Sequence, residues 1–173
     1  MIKNEQEYNI TKSWVERMGR AIAMLEQDLN KKANQPDVWQ IHYDGVTSQR
    51  EDLVNQVVEY EALIAHKPDE QILLEIESLD NLSDLLIKAR IAFKMTHREL
   101  AIFCQRTEDE IKLFENKNYS NASYLDFTTA LEVFGIKLID GKFIAYMSDY
   151  YKEKLASIRQ METYNEAEMK AAS

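Results

Sequence analysis

This 173-residue sequence holds only two prolines and four glycines to punctuate the chain, and only one cysteine and three histidines as thiolate and imidazole ligands for a metal. A single Cys104 excludes an intrachain disulfide, and its apolar surroundings mark it as a small core residue of a protein kept in the reducing cytoplasm. The scarcity of Gly and Pro leaves long stretches free to be helical. No run approaches the ~18 consecutive apolar residues of a membrane span, and the opening Met1-Ile2-Lys3-Asn4-Glu5 lacks the apolar core of a signal peptide. His42, His66 and His97 are scattered, with no His-Glu-x-x-His spacing, no glycine-rich phosphate loop and no nucleophile elbow. The expectation is therefore a soluble protein that is not an enzyme, takes no metal or cofactor and touches no membrane.

Positive charge is also in deficit. Lys and Arg number 21 against 30 Asp and Glu, a net charge of −9 that discourages non-specific binding to polyanions. The imbalance is local. Residues 1–80 carry 8 basic against 16 acidic side chains, residues 81–135 carry 7 against 8, and residues 136–173 carry 6 against 6. A near-neutral segment thus follows an acidic one.

That near-neutral segment contains the densest local signals. Thr96-His97-Arg98-Glu99 and Thr107-Glu108-Asp109-Glu110 both spell a capping box, in which a Thr hydroxyl and a Glu carboxylate satisfy each other's free backbone N–H groups. Two helix starts eleven residues apart leave space for one helix of about two turns and a tight turn, the dimensions of a helix-turn-helix. Leu100, Ala101 and Cys104 on the first helix and Ile111 and Phe114 on the second are flanked by Leu85, Leu86, Ala89 and Ile91 before and Leu125, Phe127, Leu131 and Phe134 after, enough to close a small core.

These residues resemble the Cro and lambda-repressor (XRE-type) DNA-binding domains. The resemblance runs through Leu-Leu-Ile-Lys-Ala-Arg at 85–90, Met-Thr-His-Arg-Glu-Leu-Ala at 95–101, Ile-Lys-Leu-Phe-Glu-Asn at 111–116 and a last helix closing on 131–135, about a third of the chain. It implies that the helix opening at Thr107 enters the major groove, that Glu108, Asp109 and Lys112 face base edges, and that His97, Arg106, Asn116, Lys117 and Asn118 hold phosphates. Three departures stand out. His97 replaces the usual Gln, Gln105 occupies a turn position where the family prefers Gly, and two carboxylates would face a polyanion. Glu108 and Asp109 are open to two readings: first-turn acids that complement the helix dipole, or selectors of cytosine or of a basic protein.

Upstream, Trp14, Met18, Ala21, Ile22, Leu25 and Leu29 predict a helix over 11–32 behind Thr11 and Ser13 as caps, broken at Asn34-Gln35-Pro36-Asp37. A second helix follows from Pro36, carrying Val46, Leu53, Val57, Tyr60 and Ile64, with Gly45 as a candidate kink. Residues 1–67 read as a helical hairpin. Its apolar stripe, widened by Val54 and Val58, needs covering by the rest of the chain, another protein or a second copy. The second copy is favoured, with Leu53, Val54, Val57 and Val58 as the dimer surface, because repressors of the resembled type bind two-fold sites as dimers. The opening residues 2–12 also resemble the N-terminal extension of some antitoxin-like XRE-type proteins.

Pro68-Asp69-Glu70 predicts a short linker helix to about Glu77, opening a segment 68–135 that ends with the helix-turn-helix. Beyond it, Asp140-Gly141 between the apolar runs 136–139 and 143–146 predicts a β-hairpin, and Ser148 is placed to cap a final helix with Tyr151, Leu155, Ile158 and Met161 on one stripe. The fold class is mainly α: a long hairpin, a compact helix-turn-helix, a short β-hairpin and a C-terminal helix. Two functions compete. One is a sequence-specific regulator, a repressor or autoregulating antitoxin, that binds a double-stranded operator as a homodimer. The other keeps the fold but uses its acidic surface to bind a basic partner such as a toxin or nuclease.

Overall fold

The computed structural model describes residues 1–76, 78–141, 145 and 147–171, with side chains as far as Met161. It is mainly helical, with eight α-helices and one 3-10 turn among those residues. Two compact units are separated at 137/138.

In the first unit, α1 (Glu5–Gln27) opens on Asn4, whose side chain accepts the Glu7 amide. Asp28 ends it and caps α2 (Leu29–Asn34) by accepting the Lys31 amide. Pro36 then begins α3 (Pro36–Ala65), its missing N–H costing nothing in the first turn. The long helices pair antiparallel. Near one end the Tyr8 and Tyr60 rings lie 5.2 Å apart, and at the other Trp39 Nε1 donates to the Leu25 carbonyl at 2.8 Å.

The start of α1 corrects the reading of residues 11–32. Asn4-x-x-Glu7 satisfies the helix start six residues earlier, and the Thr11 hydroxyl donates back to the Glu7 carbonyl at 2.8 Å from within the helix. Gly45 neither kinks nor interrupts α3, which runs unbroken past it. The linker helix predicted from Pro68 is also absent. Residues 67–70 form a turn, and 71–76 carry no regular structure. Ile72, Leu74 and Ile76 are half-buried while Gln71, Leu73 and Glu75 are exposed, so burial alternates with a period of two, which an extended chain satisfies and a helix does not.

A 3-10 turn (Leu79–Asn81) leads into the four-helix head: α4 (Leu82–Ala92), α5 (His97–Cys104), α6 (Glu108–Asn116) and α7 (Tyr124–Val133). Leu86, Ile87, Leu100 and Ile111 are its largest fully buried side chains, joined by Ala89, Phe114, Ala130 and Phe134. The same core takes in Ile2, Tyr60 and Leu63, so the root of the hairpin is part of it. Lys94, held at φ 57°, sends its amine onto the carbonyls of Leu63 and Ile64 at the end of α3, where a helix dipole favours a cation.

In the second unit, α8 (Asp149–Ala171) follows Ser148, whose carbonyl accepts the Lys152 amide. Tyr151, Leu155, Ile158 and, before the helix, Ala145 and Met147 line an open apolar concavity on one side of it. The β-hairpin predicted over 136–146 is not formed in its described part. No strand occurs among the described residues, and Leu138 and Ile139 are exposed; Lys142, Phe143, Ile144 and Tyr146 lie outside the described residues. An isolated two-stranded ribbon has too little surface to bury to hold its own ladder.

Candidate nucleic-acid interface

The turn between α5 and α6 is tight and holds an unusual residue. Gln105 adopts φ 54°, ψ 44°. The Arg106 amide reaches back to the Ala101 carbonyl at 2.9 Å and that of Gln105 to Ile102, the paired bonds of a left-handed helix stop. Without a glycine this conformation costs on the order of 1 kcal/mol, which the Leu100 and Ala101 packing offsets. Both expected capping boxes are complete, Thr96 with Glu99 and Thr107 with Glu110.

Those caps assign the acids of α6 to different tasks. Glu110 accepts the Thr107 amide at 2.8 Å, and that bond with the Thr107 hydroxyl holds its carboxyl below the usual range. Glu108 pairs with Lys112 at 2.7 Å, one helical turn on, and the hydrogen bond lowers the one pKa and raises the other. Asp109 is exposed on the outer face beside Lys112, Leu113 and Asn116. Leu113, 49% exposed, was not singled out by the sequence reading. Its signal was available: Ile111, Phe114 and Glu115 already fill the inward side of α6, which leaves 109, 112, 113 and 116 facing out.

The cations are more committed than the sequence reading assumes. Arg106 donates to Asp126 at 2.7 Å, tying the start of α6 to the start of α7, and this bond raises its pKa. Asp126 also completes a third capping box with Ser123. Lys117 is exposed. Asn118, at φ 49°, accepts the Lys3 amine at 2.6 Å. His97 is half-buried, with Nε2 3.0 Å from Glu115.

Glu115 and Arg90 were missed. Arg90 grips the Glu115 carboxylate with two guanidinium nitrogens at 2.5 and 2.8 Å, and both residues are buried. Burial works against the charge on Glu115, but the bonds from His97 and Arg90 outweigh it and hold the carboxyl below its ordinary range. The Nη2 that holds Glu115 also donates to the Lys3 carbonyl at 3.3 Å, and the Lys3 amine donates to the Glu115 carbonyl at 2.6 Å. The sequence hint was a charge on the core side of two helices: Arg90 stands one turn from Leu86 and Ile87, and Glu115 one turn from Ile111.

Lys3, Asn4, His97, Lys112, Glu115 and Asn116 line a cleft of about 200 Å³ beside the outer face of α6. No family model, curated protein or solved structure matches this chain. Among the described residues no three His, Cys, Asp or Glu side chains cluster as a metal site, and no helix is long and apolar enough to cross a membrane. Cys104 is half-buried, its thiol pKa pushed up by burial and by Asp126.

Of the residues expected at a dimer surface, Leu53, Val54 and Val57 are half-buried, and Val57 packs on the core cluster. Val58 is exposed. Ile10, Trp14 and Met24 on α1 and Ile41 on α3 are exposed as well.

Proposed function

We propose that this chain is a sequence-specific DNA-binding transcription regulator of the XRE type, a repressor or autoregulating antitoxin that acts as a homodimer. The observation that carries the reading is the open outer face of α6. Its inward face is fixed by Ile111, Phe114 and the Arg90-clamped Glu115, while Asp109, Lys112, Leu113 and Asn116 are exposed. An α-helix about 10–12 Å across with its side chains fits a major groove about 12 Å wide. The Glu108–Lys112 pair leaves Asp109 as the net charge of that face, a smaller repulsion than three free acids would exert. In the groove, Asn116 suits an adenine edge or a phosphate, Leu113 a thymine methyl, and Glu108 or Asp109 a cytosine amine. Lys117, Asn118 and His97 flank the face as backbone contacts, with Arg106 steadying the helix start.

The test is a gel-shift titration with the duplex upstream of the chain's own gene. Wild-type protein shifts it at low salt. Lys112→Ala with Lys117→Ala weakens binding about tenfold or more and reduces the log–log salt slope by about two. A wild type that shifts no duplex at low salt overturns the reading.

Dimerisation has its own support. From residue 9 to 58, a span described throughout, only Trp39 is buried, so the hairpin arms have little core of their own. Light scattering at tens of micromolar is expected to report a dimer, and Val54→Glu with Val58→Glu a monomer. A monomeric wild type counts against the handle.

A second reading is favoured by a different observation. Ile102 and Phe103 are 68% and 60% exposed on the outer side of α5, an apolar pair of the kind that marks a protein contact. With the acidic hairpin, it suits a basic partner such as a toxin or nuclease. Failure of the gel shift together with capture of such a partner selects this reading.

A further inference from the structure

The residues ahead of α1 belong to the hairpin in sequence and to the head in space. Ile2 is 2% exposed within the head's core, Lys3 is bonded to Arg90, Glu115 and Asn118, and Asn4 borders the cleft next to α6. The cleft's walls are rich in donors with capacity left over. The Lys3 amine spends two of its three protons on the Glu115 carbonyl and Asn118. Lys112 spends one on Glu108, and Asn4 spends one of its amide protons on Glu7. Asn116 is exposed and adds a whole amide, and His97 still has Nδ1. Acceptors are few. Glu115 is the one carboxylate in the lining, and its oxygens are taken by Arg90 and His97. Such a pocket matches a tetrahedral oxyanion, whose oxygens accept several donors at once and whose charge is met by two amines.

We infer that this cleft is a phosphate-binding subsite in which Lys3 and Asn4, from before α1, join His97, Lys112 and Asn116 on one phosphate of the DNA backbone. The inference rests on the proposed DNA-binding role and adds a contact from outside the helix-turn-helix. It also explains why a lysine from the start of the chain is bonded to the last turn of α6: the phosphate ligand and the reading helix are held in one frame.

Lys3 is a poor place to test this, because its amine also secures the end of α6. Asn4→Asp is better. Aspartate still accepts the Glu7 amide, so the cap of α1 is kept, while the amide's bond to the Glu7 carboxylate is lost and a negative charge enters the cleft. Ser13→Asp, on the exposed side of α1 about 13 Å along the axis, adds the same charge away from it. Asn4→Asp is expected to weaken duplex binding about tenfold and lower the salt slope by about one, with Ser13→Asp within about twofold of wild type and both variants folded by circular dichroism at the assay temperature. Wild type and Asn4→Asp binding the duplex equally overturns the inference while leaving the DNA reading intact. If wild type shifts no duplex, inorganic phosphate at matched ionic strength decides separately. Thermal stabilisation of wild type and not of Asn4→Asp upholds a phosphate site. Equal response of the two, or none, overturns it.

Discussion

Replacing Glu115 with Ala is expected to destabilise the protein by about 3–5 kcal/mol, a large part of the ~5–15 kcal/mol that holds a domain together. The reason is what remains behind. Arg90 is 7% exposed, and without its carboxylate its guanidinium is a buried cation left with only the weaker carbonyl bonds to Met95 and Lys3. The expected contrast is Arg90→Met with Glu115→Leu, which removes both charges and fills the space. That pair should come within about 1–2 kcal/mol of wild type, because an apolar pair pays no desolvation. Urea denaturation followed by circular dichroism measures both. An Ala variant losing less than about 1 kcal/mol would show that the clamp contributes little. The pair also sets an acid dependence. The Glu115 carboxyl lies below its ordinary value of 4.5 in the folded protein, so its contribution is present above that pH and is lost as pH falls through the lowered folded value. The Met–Leu variant should lose correspondingly less stability between neutral pH and the acid limit.

Trp39→Ala is the second large effect, about 3–5 kcal/mol and confined to the far end of the hairpin. Trp39 is 5% exposed, donates to the Leu25 carbonyl, stacks on Tyr43 with centroids 4.9 Å apart, and lies 4.3 Å beneath the Lys32 amine. One ring thereby joins the end of α1, Lys32 of α2 and the first turns of α3. Hydrogen exchange is the discriminating measurement. Amides over about 20–45 should lose their protection in the variant while those of α4 to α7 keep theirs, since the head's core of Leu86, Ile87, Leu100 and Ile111 lies elsewhere. Unchanged protection over 20–45 would mean that Trp39 is not what holds the tip.

These two sites also mark where the sequence was and was not readable. Thr96 to Glu99 and Thr107 to Glu110 were legible because a capping box is a local bargain between residues three apart, and both boxes formed. The hairpin was legible from its spacing, but its start was not. Thr11 and Ser13 looked like caps, whereas Asn4 with Glu7 offered an equally local cap nearer the root, and Ile2 gained a place in the core only if the helix began there. Residues 68–77 misled for a related reason. Pro68 suits a helix start as Pro36 does, but the alternation of Ile72, Leu74 and Ile76 toward the core, which holds this stretch extended, is a long-range fact. Arg90 and Glu115, 25 residues apart, could be suspected singly as charges on apolar faces but not joined, because the joining depends on how α4 and α6 cross. The outer face of α6 follows from periodicity. The cleft beside it does not, because Lys3 and Asn4 arrive there through the packing of the root of α1.

That packing has a consequence for what counts as a module here. Cut from its neighbours, the stretch 68–135 would keep every helix of the head and still be incomplete. A hole would open where Ile2 sits, Arg90 would lose a carbonyl, and the final turn of α6 would lose the ammonium group that neutralises its dipole. The smallest self-sufficient piece is therefore discontinuous along the chain, and a linear border drawn at the linker separates residues that the folded molecule treats as one body.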